Sequence, residues 1–373
     1  PEAVSHALSA GDAERAADLI EWIAWTTVMR GEVRTLRGWL DKLPSELRRS
    51  RPQLGILYAW ALALGGELDS IEPYLQSFDV QQVPGEVAAV RAYLASLQDE
   101  TSLATEFAQQ VFQHLPESKW FSRGMAAVTL GNAPLVSGDP AAAIQVLTEA
   151  IQLSDAADRT YLGVFARSIL GEALHMQGRL HKAAEVQRQA LQLASRKGGR
   201  PAPFAGYAYL GLSRLHYEWD ELDGAMRHAE KGIEIIKVGG LVEAIPVGLF
   251  ILAQVHLAQG ELDQATRMMA KAEQAAQRCE NPYVIARVAA WRMRLWMTHR
   301  DRMPATDWRG QHSPDTDSGT DYLRELVHLA RARELMASPL ADLPSQWTRG
   351  REALDLLQRQ FEAAKAAGRV GNT

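Results

Sequence analysis

The chain has 373 residues, 47% hydrophobic and 23% charged, with a formal net charge of −5. That balance is ordinary for a globular protein and gives no case for gripping nucleic acid, because counterion release needs clustered Lys and Arg. The single cysteine, Cys279, excludes an internal disulfide and points to a reducing, cytoplasmic compartment, and no apolar run is long enough to span a membrane.

The chain opens PEAVSHALSAGDAE, without an initiator Met or the layout of a signal peptide, so it is expected to be cut from a longer protein. A short phrase then recurs: a Gly or Asp, a charged residue, an apolar residue, two variable ones and a small or apolar one. It reads GDAERA from Gly11 and GELDSI from Gly66, then GDPAAA from Gly138, GRLHKA from Gly178, DELDGA from Asp220 and GELDQA from Gly260. The last four copies recur at intervals of about 40 residues, within the range of helical-repeat arrays.

Each copy lies between stretches with apolar residues at i, i+3/i+4 and i+7, as in YLGVFARSILGEALHMQG before Gly178 and KAAEVQRQALQLASRKG after Arg179–His181. A glycine closes the first helix in the left-handed conformation, the short link turns the chain back, and aspartates near the turn cap the second helix. The expected fold is all-α: a right-handed superhelix of tandem antiparallel helical hairpins, tetratricopeptide-like, with negligible strand. Ala173, Ala183, Ala190 and Ala265 are the small residues expected where helices approach closely. Residues 1–80 form N-terminal hairpins and 84–300 the regular repeats. The Pro-, Asp- and Gly-rich 301–320 reads as a flexible loop, and 321–373 as a last, incomplete repeat.

Motifs for catalysis are missing. There is no GxxxxGK[ST], no strand-flanked GxGxxG, no HExxH and no GxSxG, and no histidines at a helical i, i+3 or i, i+4 spacing suited to a metal. Neither an enzyme nor a metal site is expected. His216 and His256, at equivalent repeat positions, are expected to pack between helices, and Cys279 to be a buried small hydrophobe.

Aligning the repeats on their turn residue exposes a polar column in the first helices: Asn132, Glu172, Arg214, Gln254 and then Arg294. Two residues before the first four stand Leu130, Leu170, Leu212 and Leu252, roughly 200° around the helix and therefore core. Tyr161, Phe165, Ser168 and His175, Tyr207 and Tyr217, Phe250, and Tyr283 and Arg287 share the polar face. Polar groups beside aromatics on a concave wall can hydrogen-bond and stack on a ligand. The same column equally reads as a ladder of inter-repeat ion pairs on a solvated face. Trp22, Trp25, Trp39 and Trp60 are expected in the core, Trp219 wedged between hairpins, and Trp308 and Trp347 exposed.

The run from His6 to Leu75, and the later YEWDELDGA and ARVAAWRMRLWM, resemble the sensor region of LuxR-type, ATP-dependent bacterial transcription activators of the MalT-like group. The resemblance implies a regulatory module that binds a small-molecule inducer or a regulatory, antagonist protein, with self-association in the full-length protein. ATP would be bound by an NTPase region and DNA by a helix-turn-helix, both outside this chain, so no cofactor, nucleic acid or membrane contact is expected of the segment itself. The alternative is a stand-alone scaffold that holds an extended peptide of a partner protein.

Overall fold

A computed structural model describes residues 2–30, 32–98, 100–136, 138–156, 160–195, 204–239, 241–279 and 343–366, with scattered positions from 284 to 332. Among them there are helices and no strand. The N-terminal part comprises α1 (Glu2–Ser9), α2 (Ala13–Met29), α3 (Val33–Lys42), α4 (Ser45–Ser50), α5 (Pro52–Gly65) and α6 (Ile71–Leu75). Five hairpins follow: α7 (Pro84–Leu97) with α8 (Thr101–His114), α9 (Trp120–Val136) with α10 (Pro140–Ala156), α11 (Thr160–Met176) with α12 (Leu180–Ser195), α13 (Ala205–Glu218) with α14 (Leu222–Gly239), and α15 (Ile245–Ala258) with α16 (Leu262–Arg278). A further helix covers Leu343–Ala366. The expected loop at 301–320, with Trp308, lies outside the described residues, as does the side chain of Trp347.

The repeated phrase marks the turns. Gly11, Gly66, Gly138, Gly178 and Gly260 have φ between 71 and 82°, and Asp220 has φ 59°. Each closes its helix with the same pair of bonds: at Gly178, the Gly178 N–H donates to the His175 carbonyl and the Arg179 N–H to the Leu174 carbonyl. Two otherwise orphaned carbonyls are satisfied and the next helix is sent back antiparallel. Asp12 and Asp139 then cap α2 and α10, accepting from the Arg15 and Ala142 N–H groups at 3.1 and 3.0 Å.

The way the hairpins stack decides which face is inside. Consecutive first helices pack on one another, α5 on α7, α7 on α9, α9 on α11, α11 on α13 and α13 on α15, whereas second helices pack chiefly on first helices. The wall with the closer spacing is the concave one, so the first helices line the inside of the coil. Their sequences agree: α5 and α15 are predominantly apolar, while α12, α14 and α16 keep one polar face in water. Ala173, Ala183, Ala190 and Ala265 are buried at the helix contacts. Leu170, Leu212 and Leu252 are buried, and Leu130 is partly so.

At the N-terminal end the aromatics form one cluster. Trp25 of α2 stacks on Phe121 of α9 at 4.1 Å, and Trp60 meets both Tyr93 and Phe121. Trp39 and Trp60 are buried, as expected, but Trp22 is 82% exposed. The buried stripe of α2 runs through Ala16, Ala17, Ile20, Ala24 and Val28, and Trp22 lies roughly 200° away from Ile20. Further along, Gly66 at the turn after α5 sits against Val242, just before α15. The coil has come round far enough for its early and late hairpins to touch.

Candidate functional site

The inner wall carries the polar column at half-buried positions: Asn132 on α9, Glu172 on α11, Arg214 on α13 and Gln254 on α15. Arg294, Tyr283 and the Tyr161 side chain lie outside the described residues. Glu172 and Arg214, on neighbouring first helices, form a direct ion pair. One rung of the ladder reading is therefore realised, and it sits on the groove face.

Around that rung the structure gathers further predicted residues. His175, one turn along α11, places Nε2 3.8 Å from Glu218, and its Nδ1 is buried without a hydrogen-bond partner. Burial acts to raise the Glu172 carboxyl, but Arg214, His175 and Arg287 outweigh it and hold the group below the ordinary carboxylate value. Arg287 lies over the Trp291 ring at 4.8 Å, and Trp291 is stacked on Phe250 at 4.3 Å. Tyr217 is half-buried on the same wall.

A second group lies one helical step toward the start of α13. Phe165 stacks on Phe204 at 4.1 Å, Tyr207 leans on both rings, and the Tyr207 hydroxyl donates to Glu243 at 2.7 Å. Burial pushes the Glu243 carboxyl up, an effect partly offset by the Tyr207 hydrogen bond. Three proposed groove residues are withdrawn from solvent: Phe165 and Phe250 are buried in these stacks, and Ser168 is buried with its hydroxyl donating to the Val164 carbonyl at 2.9 Å. Their aromatic or hydroxyl groups are already matched within the wall, so they shape it from behind.

Sequence reasoning missed Glu218, Trp291, Phe204 and Glu243. Glu218 follows Arg214, and Trp291 follows Arg287, by one helical turn, a spacing that could have revealed them. Glu243 and Phe204 stand outside the first-helix register, Glu243 in the short 3₁₀ segment Val242–Ala244 before α15 and Phe204 just before α13. Periodicity carries no signal there.

Outside the groove, His216 and His256 close their own turns, with Nδ1 2.5 Å from Glu221 and 2.8 Å from Glu261. His216 also stacks on His228 at 4.7 Å, between α13 and α14. Trp219 stacks on His181 of the preceding hairpin at 5.5 Å, so it is wedged between hairpins. Cys279 is buried, donates to the Ala275 carbonyl, and has its thiol pushed up to about 12 by burial and by Glu243. Among the described residues no group of three or more His, Cys, Asp or Glu could hold a metal, and no helix is long and apolar enough to cross a membrane.

Comparison with known proteins names the repeat. Residues 85–373 match the family model described as the MalT-like TPR region. The chain belongs to this family. It is 25% identical over 334 residues to the HTH-type transcriptional regulator MalT of Yersinia pestis (strain Pestoides F), covering 87% of this chain and 35% of that protein. The namesake protein of Serratia proteamaculans (strain 568) is 26% identical over the same length. The chain thus spans 35% of the length of these curated relatives. In fold it is similar to a Rap protein complexed with competence and sporulation factor, with TM-score 0.60 and 11% identity over 95% of this chain and 99% of that one. NprR in complex with its cognate peptide NprX gives TM-score 0.59 and 13% identity over 91% and 99%. At these identities the two structures confirm the fold alone, a superhelix of helical hairpins.

Proposed function

We propose that this MalT-like TPR region is the sensing module of a LuxR-type transcription regulator, and that it takes a small polar inducer, or an antagonist protein, on its inner wall. The observation that carries this reading is the Glu172–Arg214 pair on the groove face, flanked by His175 and Arg287 and framed by the Tyr207 and Trp291 stacks. Polar groups of both signs beside flat apolar rings suit recognition of a polar ligand by hydrogen bonds and stacking. The regulator relatives supply the context in which such recognition has a use. On this reading the segment needs no cofactor and performs no catalysis. ATP, DNA and self-association belong to the whole regulator.

A thermal-shift screen against metabolites tests it. A ligand at ~100 times its Kd stabilises the folded state by about 2.7 kcal/mol, a readily visible shift. Arg214→Ala should remove that shift while the helical circular-dichroism signal persists. A hit that survives Arg214→Ala unchanged places binding elsewhere and ends the proposal.

A second reading, capture of an extended peptide, draws on the two structures of similar fold, one complexed with competence and sporulation factor and the other with its cognate peptide NprX. A peptide library that yields groove binders where metabolites yield none would favour it.

A further inference from the structure

Glu172 draws basic partners from separate parts of the chain. Arg214 of α13 pairs with it directly, His175 stands one turn along its own helix, and Arg287 acts on it from beyond α16. The Arg287 guanidinium lies on Trp291, and Trp291 lies on Phe250. His175 keeps Nδ1 buried and without a hydrogen-bond partner. Another carboxylate, Glu218, sits 3.8 Å from His175 Nε2 with its side chain 48% exposed, at the watery edge of the group.

A guanidinium fork, a second guanidinium held by an aromatic face and an imidazole are the donor set by which proteins hold a carboxylate or phosphate. Here the anion that Arg214 holds is part of the chain. A neutral ligand entering this point would either leave the pair closed, and gain nothing from it, or open it and strand a half-buried charge, which is costly. An anionic ligand replaces like with like.

Resting on the reading of the groove as a ligand site, we propose that the ligand carries an anionic group, carboxylate or phosphate, and that Glu172 is its built-in substitute, displaced from Arg214 when the ligand enters. The chain then holds its own competitor. Removing the Glu172 charge should strengthen anion binding, whereas an ion pair of purely structural use predicts no gain.

Inorganic phosphate and succinate, titrated at matched ionic strength onto wild type, Glu172→Gln, Arg214→Ala and the double variant, provide the test by thermal shift. Glu172→Gln should bind one of the two anions about tenfold more tightly than wild type, equivalent to ~1.4 kcal/mol. Arg214→Ala should abolish the response in both backgrounds. The preferred anion tells a phosphate ligand from a carboxylate. Equal responses in wild type and Glu172→Gln, or a response that outlives Arg214→Ala, overturn the proposal. Should Glu172→Gln lose its helical signal, Arg287→Met is the second arm: it must weaken phosphate or succinate binding by the folded protein, and unchanged binding overturns the idea. A neutral metabolite that binds wild type and Glu172→Gln alike, and is lost in Arg214→Ala, keeps the groove reading and removes this one.

Discussion

The Gln187 side-chain amide donates to the Ser168 carbonyl at 3.0 Å, carrying α12 into the seam between α11 and α13. Gly171 and Gly211 face that amide from the two first helices, and a methyl group on either would collide with it. Two first helices can approach because both glycines lack a Cβ where one glutamine passes between them. Gly171→Ala should therefore destabilise the fold by about 1–3 kcal/mol, as overpacking does. In a Gln187→Ala background the same change should cost much less. A double-mutant cycle in urea checks this, and additive losses would show that the two residues do not share the seam.

The turn residues give a cleaner backbone test. A Cβ at Gly178 or Gly260 would meet nothing within 4 Å, so Gly→Ala at either isolates the left-handed conformation itself. Each should cost about 1–2 kcal/mol. Asp220 holds φ 59° with a side chain in place, and Asp220→Gly should be neutral or stabilising by up to ~1 kcal/mol. Chemical denaturation of the three variants decides, and a clear loss in Asp220→Gly would assign the aspartate a contact beyond its backbone role.

Two carboxyls, Glu172 on the inner wall and Glu243 bonded to Tyr207, should respond to acid in opposite senses. Glu172 is held below its ordinary 4.5, so its contribution is present above that value and is lost as pH falls through the folded pKa. Glu243 is pushed above 4.5, so its ionisation opposes folding above the folded pKa, and that penalty disappears below 4.5. Glu172→Gln should lower Tm near about pH 7 and Glu243→Gln should raise it, with both differences fading below about pH 4.5. Melting curves across that range test it. A Glu243→Gln protein that melts earlier at neutral pH would mean the Tyr207 bond outweighs burial.

Trp22 and Trp60 should behave as opposites although each lies in a helix rich in apolar residues. Trp60 is fully buried, and Trp60→Ala should cost about 3–5 kcal/mol. Trp22→Ala should stay within ~0.5 kcal/mol of wild type. Tryptophan emission would change oppositely, because only loss of Trp22 removes a water-exposed emitter. A large destabilisation from Trp22→Ala would mean that its ring covers the helix surface.

The sequence displayed the hairpins because a left-handed turn demands Gly or a tolerant Asp at a fixed place, which leaves a mark at Gly138, Gly178, Asp220 and Gly260. It displayed the Glu172 and Arg214 positions because helical register keeps one face aligned through the repeats. Trp22 was misread because LIEWIAWTTV is apolar on too much of the helix to show which side is covered. Glu243 was missed because a 3₁₀ segment between hairpins has no register to extrapolate. The touch of Gly66 on Val242 depends on small inter-helix angles summed over several repeats, and no single stretch of sequence encodes that sum.

That touch also changes the mechanics of the coil. A stack of hairpins free at one end behaves like an open spring, and a strain at one seam is lost as movement of the loose end. Here Trp25 braces α2 against α9, and the turn after α5 bears on the segment before α15. The Gly66–Val242 contact therefore ties the first hairpins to the segment before α15 by a route separate from the stacked first helices, α11 on α13 among them.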